Sequence, residues 1–336
     1  MARKVLITGI TGMVGSHLAD FLLKNTNQFI IGMCRWRSPT DNVSHLFELA
    51  NKKKRIKFVY GDLNDYFSIF KIIKNEKPDF IYHLAAQSFP LASFDMAEST
   101  FNTNINGTYN LLNSIKDSSI KPWIHICSSS EIFGKVDKKN IPINETTNYH
   151  PASPYAISKV GTDLISRFFF EAYNLKTLTT RMFTHTGPRR GDYFAESSFA
   201  KQIAMIERKI IPPIIKVGNL KSLRTYSDVR DAVRAYYMLL NKKPRAGQFY
   251  NIGGNYSCTV GHMLKTLLKN SVYKNKIKIQ KDKSRFRPID ANLQIPDTRK
   301  FRNHYDWKPQ ITFKQTMIDL LNYWRVKVSK NNFLDR

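Results

Sequence analysis

The feature that most constrains this chain is what surrounds its first three glycines. A strand-length apolar run, Lys4–Thr8, leads straight into Gly9-Ile-Thr-Gly12-Met-Val-Gly15, and a helical pattern follows from about residue 14 to 25. Glycines in that position permit a tight turn, close approach of the backbone to a pyrophosphate, and close packing of helix on strand. The helix N-terminus then offers free N–H groups and the positive end of its dipole to the phosphates. Gly9, Thr11, Gly12, Met13, Val14 and Gly15 are therefore the candidate cofactor-binding turn.

The same rhythm continues. Apolar runs at 29–34, 56–60, 80–84, 123–127 and 177–182 alternate with helical patterns near 65–75, 99–116 and 153–173. Strands separated by helices of this length imply right-handed crossovers and a parallel sheet covered on both faces. Their continuous apolar character suits burial on both sides. The expected fold is α/β: a Rossmann-type doubly wound parallel sheet over residues 1–185 and a smaller C-terminal α/β substrate-binding lobe over 186–336. The segment at about 222–252 is expected to return to the first domain. After Met182 the pattern turns irregular, with Pro188, Pro212 and Pro213, a helix near 195–208 and short strands near 214–217 and 248–252.

Composition narrows the function classes. Of 336 residues 42% are apolar, which reads as a packed globular chain. No apolar run reaches the ~18 residues of a membrane span, and the N-terminus has no secretory apolar region. Cys34, Cys127 and Cys258 are widely spaced, which suits the reducing cytoplasm. His17, His45, His83, His125, His150 and His185 show no metal-ligand spacing. The formal charge of +27 raises nucleic-acid binding, but the basic residues are spread along the chain in short runs such as Lys52–Arg55 and 274–283. A basic surface that draws in an anionic substrate is the better reading.

The strand ends discriminate the cofactor. A site for NAD usually places Asp or Glu about 20 residues after the glycines, on the ribose hydroxyl. This chain has Cys34-Arg35-Trp36-Arg37-Ser38 there, and Arg35 and Arg37 suit a 2′-phosphate, so NADP is expected. Solvated loop arginines remain the alternative. Asp62 and Leu63 follow the third strand, where a polar side chain can reach adenine; Leu84, Ala85 and Ala86 follow the fourth with small residues beside the cofactor.

The fifth strand ends in Cys127-Ser128-Ser129-Ser130-Glu131, and Tyr155-Ala-Ile-Ser-Lys159 follows Pro154. The i, i+4 spacing sets Tyr155 and Lys159 on one helical face. An ammonium and a cationic nicotinamide beside a phenol favour its ionised form and let it act as a base. Ser129 is placed to hold the reacting oxygen of a substrate.

With these motifs in place, nearly the whole chain resembles the extended short-chain dehydrogenase/reductases, and among them the GDP-mannose 4,6-dehydratase family. The likeness rests on Gly9–Ser16, Ser128–Gly134 and Glu145–Tyr155. It is narrowest in Phe183-Thr-His-Thr-Gly-Pro-Arg-Arg-Gly-Asp192, Gly218–Arg224, Arg285-Phe-Arg-Pro288, Asp297–Lys300 and Trp307–Pro309. The resemblance implies Ser129, Glu131, Tyr155 and Lys159 as catalytic, His185 and Arg190 beside the cofactor, and Arg35 on its 2′-phosphate. It implies Lys201, Arg224 and Arg287 on the diphosphate of a nucleotide sugar, with Ser88 also on the substrate side. The implied reaction is an internally redox-neutral dehydration of a GDP-hexose to its 4-keto-6-deoxy derivative. Glu131 takes the C5 proton and protonates the leaving C6 hydroxyl, and no such acid/base is needed by a 4-reductase or 4-epimerase, the first alternative. A non-catalytic NADP sensor that binds nucleic acid is the second. The chain departs from the family at Ala86-Gln87, at Phe89-Pro90 in the sugar pocket, at Thr184 and Thr186, and in a shorter lysine-rich segment at about 255–285. A homodimer or homotetramer is implied, the dimer through the helices near 99–116 and 153–173, the tetramer through the Arg35–Ser38 loop.

Overall fold

The computed structural model describes residues 2–273, 276–331 and 333; Lys274, in the lysine-rich stretch noted above, lies outside them. Seven parallel strands form the main sheet. β1 (Lys4–Thr8), β2 (Phe29–Cys34), β3 (Ile56–Tyr60), β4 (Phe80–His83), β5 (Trp123–Cys127) and β6 (Lys176–Met182) run with the strand Phe249–Ile252 in the order Phe249–Ile252, β6, β5, β4, β1, β2, β3. The strand order reverses between β1 and β4, and a crevice at the carboxyl ends is the consequence of such a reversal.

Each face is closed by helices whose apolar stripes point inward. One layer joins α1 (Met13–Asn25) to the helix Val229–Asn241 through Leu18, Leu22, Val233 and Tyr236. The other packs Ile69, Ile73, Leu111 and Ile115 of the helices Tyr66–Glu76 and Gly107–Asp117 on Leu6, Ile31 and Ile124. A third core, around Phe199, Ile203, Met263, Leu320 and Trp324, belongs to the smaller lobe. Its four-stranded sheet pairs Leu223–Asp228 with Tyr256–Thr259, Leu293–Gln294 and His185–Thr186. Of the segment 222–252, residues 229–252 therefore pack on the main sheet, and Leu223–Asp228 pairs in the smaller one.

Three local expectations need correction. β4 stops at His83 rather than at residue 84, because the N–H groups of Leu84 and Ala85 turn to the Thr8 hydroxyl, each at 3.1 Å, and leave the ladder. The helix expected over 99–116 is broken into Ala97–Phe101, a wider π-type turn Asn102–Asn106, and Gly107–Asp117. The second half of the chain is regular, with helices Val229–Asn241, Val260–Lys269 and Phe313–Ser329.

Candidate active site

At the switch point the glycines fit their task by necessity. Gly9 has φ +71°, and a Cβ there would lie 2.8 Å from the backbone of Ala85; at Gly15 it would lie 2.4 Å from the Gly9 carbonyl oxygen. Gly12 caps α1 with its N–H donating to the Gly9 oxygen at 3.0 Å. Thr11 is held by Asn42 Nδ2, which donates to its carbonyl at 3.0 Å, while Met13 and Val14 open the helix. Arg35 and Arg37 stand exposed past β2 with no ion pair among the described residues, on either side of Trp36, which is 81% exposed. Two unengaged guanidinium groups and a cradle that a side chain would fill suit a dinucleotide with a 2′-phosphate. Asp62 and the buried Leu63 follow β3, and Leu84, Ala85 and Ala86 are half-buried beside Gly9.

The catalytic candidates converge at the far end of the crevice. The helix Pro154–Tyr173 starts abruptly: the Ser153 hydroxyl accepts from Ala156 N–H and Pro154 occupies the first turn. That start aims Tyr155 and Lys159 at the end of β5. Lys159 Nζ donates to the Cys127 carbonyl at 2.7 Å and lies 6.0 Å from the Tyr155 ring centre. Ser129 is within hydrogen-bonding reach of the Tyr155 phenol and accepts from Glu131 N–H at 3.2 Å. Burial pushes the Tyr155 phenol well above its ordinary value, opposed by the Ser129 hydrogen bond, and burial likewise lowers Lys159. Both groups are thus pushed toward their neutral forms in the ligand-free site. Added positive charge beside the phenol would favour its ionisation.

His185 and Arg190 border the same pocket. His185 Nδ1 faces the Phe183 carbonyl at 3.2 Å, and burial, then the Arg190 charge, lowers it to about 4, so it is a neutral donor. Arg190 lies 3.3 Å over the Phe194 ring and is an electrostatic neighbour of Tyr155. Its Nε is 3.4 Å from Glu196 Oε1, yet both atoms are buried without a hydrogen bond.

The cations expected on a diphosphate each meet a carboxylate. Lys201 is buried and pairs with Asp192 at 2.9 Å. Arg224 donates to Asp290 Oδ1 at 3.1 Å and to the Ala291 carbonyl. Arg287 lies 3.5 Å from Glu131 Oε2 and 3.7 Å from Asp290. Burial raises Asp290, but the Arg224 charge and the Ser222 hydrogen bond outweigh it and hold the carboxyl below its usual range. Ser88 is exposed, on the loop that leads to Phe89.

Sequence reasoning missed two supports. Asn104, in the π-type turn, accepts from Gln87 N–H at 2.8 Å and donates to Ser158 at 2.8 Å, tying the β4 loop to the catalytic helix. Ser93 accepts from Tyr155 N–H at 3.0 Å. A π turn is often found at functional sites, but it hides from a 3.6-residue pattern.

With the geometry in view, the comparisons agree. A family model described as GDP-mannose 4,6 dehydratase matches residues 6–320. The GDP-mannose 4,6 dehydratase of Drosophila melanogaster is 32% identical over 340 residues, 95% of this chain and 85% of that protein. The human protein of the same name is 32% identical, covering 94% of this chain and 90% of its own. Among solved structures, RMD from Pseudomonas aeruginosa complexed with NADPH aligns at TM-score 0.79 and 25% identity, over 97% of this chain and all (100%) of that one. A Thermotoga maritima UDP-glucose 4-epimerase, 24% identical with TM-score 0.84 over 97% and 99%, shares the fold. The chain belongs to the GDP-mannose 4,6 dehydratase family.

Proposed function

We propose that this protein is an NADP-dependent 4,6-dehydratase that converts GDP-mannose, or a closely related GDP-hexose, to its 4-keto-6-deoxy derivative. The observation that carries the reading is Glu131 beside the Ser129/Tyr155/Lys159 set: its side chain is only 16% exposed, and the N–H of its residue is held by Ser129. A reductase or epimerase needs no carboxylate there, which ranks those activities second. When bound, NADP supplies the acceptor and donor of a hydride.

The protein's own residues handle protons. Tyr155 takes the proton from the sugar O4, with Ser129 donating to that oxygen and Lys159 supplying positive charge. The ketone then acidifies the proton on C5, which Glu131 removes, and Glu131 returns a proton to the departing C6 hydroxyl, which leaves as water. The hydride taken from C4 is returned at C6 while C5 regains a proton, which completes the 6-deoxy product. Arg224 and Arg287 hold the diphosphate, and residues 186–336 supply most of the substrate lobe.

Among the described residues no helix is long and apolar enough to cross a membrane. Three free cysteines support a cytoplasmic location. Ile157, Leu164 and Phe168 on the catalytic helix and Tyr109 on its neighbour are each close to half exposed (46–49%), and this apolar face supports a homodimer at least. Light scattering of a monomer at micromolar concentration would count against that assembly.

The decisive test of the activity is mass spectrometry of the purified protein with NADP and a panel of nucleotide sugars. Loss of one water from GDP-mannose supports the reading. A substrate returned unchanged in mass, or reduced with loss of NADPH, would overturn it.

A further inference from the structure

The loop after β4, whose Phe89-Pro90 falls in the sugar pocket by resemblance, meets an aromatic wall that includes Tyr193, a residue with no role above. Phe89, on the loop after β4, packs against Tyr193 with ring centres 4.9 Å apart and against Phe194 at 5.7 Å. Phe194 in turn carries the Arg190 guanidinium at 3.3 Å, and Arg190 interacts electrostatically with Tyr155. The Phe89 loop is fixed to the same point, because Ser93 accepts from the N–H of Tyr155. Tyr193 is thus linked to the backbone of Tyr155 through Phe89 and Ser93, whose N–H donates to the Phe89 carbonyl at 3.3 Å. Tyr193 is 48% exposed, and its phenol has no hydrogen-bond partner among the described residues. Its position is set by backbone: a Cβ at Gly191 would strike the Tyr193 ring at 2.7 Å.

We propose that Phe89 and Tyr193 are specificity-determining residues that cover the apolar C–H face of the hexose while Tyr155 acts on it; this rests on the dehydratase reading above. Half-exposed aromatic rings beside convergent polar groups are what a small-molecule pocket presents. The wall touches the sugar and neither the nucleotide nor NADP, so it selects among hexoses on a common nucleotide. An apolar face against it favours binding through buried area.

The test compares GDP-mannose, GDP and NADP as ligands of the parent, Tyr193→Ala, Tyr193→Phe and Phe89→Leu proteins, by calorimetric titration and by KM. Tyr193→Ala is expected to raise the Kd and KM of GDP-mannose by roughly five- to tenfold, as the loss of one aromatic contact implies. The Kd values of GDP and NADP should move less than about twofold. Phe89→Leu should act in the same direction, and Tyr193→Phe, which keeps the ring, should restore affinity. Equal weakening of GDP and GDP-mannose, or no change in either, overturns the wall as a sugar contact. A parent protein that binds NADP but neither binds nor dehydrates GDP-mannose overturns the dehydratase reading instead, and the wall's role with it.

Discussion

Replacing Glu131 by Gln separates catalysis from stability. The carboxylate pairs with Arg287 at 3.5 Å, with side-chain exposures of 16% and 24%, and Arg287 keeps Asp290 at 3.7 Å when Glu131 is neutralised. A long pair with partial solvent access contributes about 1 kcal/mol at most. In a chain of 336 residues that is a shift of roughly 2 °C or less in Tm. Gln keeps the size and a polar oxygen facing Arg287, so GDP-mannose binding should survive. Losing a general acid/base costs about 10²–10⁴-fold, or ~3–5 kcal/mol on the barrier, several times the stability term. Elimination across C5–C6 should bear that loss, while oxidation at C4 persists through Tyr155, Lys159 and Ser129. Stopped-flow absorbance should show reduced cofactor building up in Glu131→Gln with little product by mass spectrometry. Tyr155→Phe should abolish both signals. Dehydration by Glu131→Gln at the parent rate would refute the role and return the site to reductase or epimerase chemistry.

Arg35→Asp should narrow the preference for NADP over NAD by roughly tenfold, the ~1.4 kcal/mol of one charge-assisted contact; equal affinities for the two cofactors in the parent protein would defeat the assignment. The buried Arg181–Asp163 pair, bonded at 2.9 and 3.0 Å and 1% and 2% exposed, ties β6 to the catalytic helix. Asp163→Asn should cost about 3–5 kcal/mol in urea unfolding because the guanidinium stays buried, and an unchanged midpoint would show that the pair is relieved elsewhere. His17 and His185 are both lowered to about 4, by burial first and by Arg189 and Arg190 respectively. The unfolded chain then binds more protons than the folded one between about pH 4 and 6.5. Their stability contribution is complete above pH 6.5 and is lost as pH falls toward 4, so a urea midpoint that is flat from pH 7 to 5 would contradict it.

Much of the main sheet was legible because strands buried on both faces leave unbroken apolar runs, and the glycine turn marked where they lead. Tyr155 and Lys159 were legible because a helix brings i and i+4 together whatever surrounds it. The helix Val229–Asn241, which packs on the main sheet, was obscured by its charge: it carries Val229, Ala232, Val233, Tyr236, Leu239 and Leu240 at helical spacing, but Arg230, Asp231 and Arg234 fall in the intervals. Asn104 was hidden for another reason. The π-type turn at Asn102–Asn106 inserts an extra residue into the helical repeat and rotates it toward Gln87 and Ser158.

The basic residues of the site carry the deeper lesson, since their number predicts neither charge nor availability. Lys201 meets Asp192, Arg224 meets Asp290, Arg190 meets Glu196, and Arg287 meets Glu131. An unpaired cation inside a protein costs several kcal/mol, so a ligand-free pocket has to hold a carboxylate for each one it buries. The +27 of the whole chain therefore lies mainly on the solvent side, where it draws anions in, while the pocket is nearly balanced. On the proposed reading, a diphosphate would therefore meet cations that already have carboxylate partners. Arg287 stands between two of these carboxylates, 3.5 Å from Glu131, the one proposed to take the C5 proton, and 3.7 Å from Asp290.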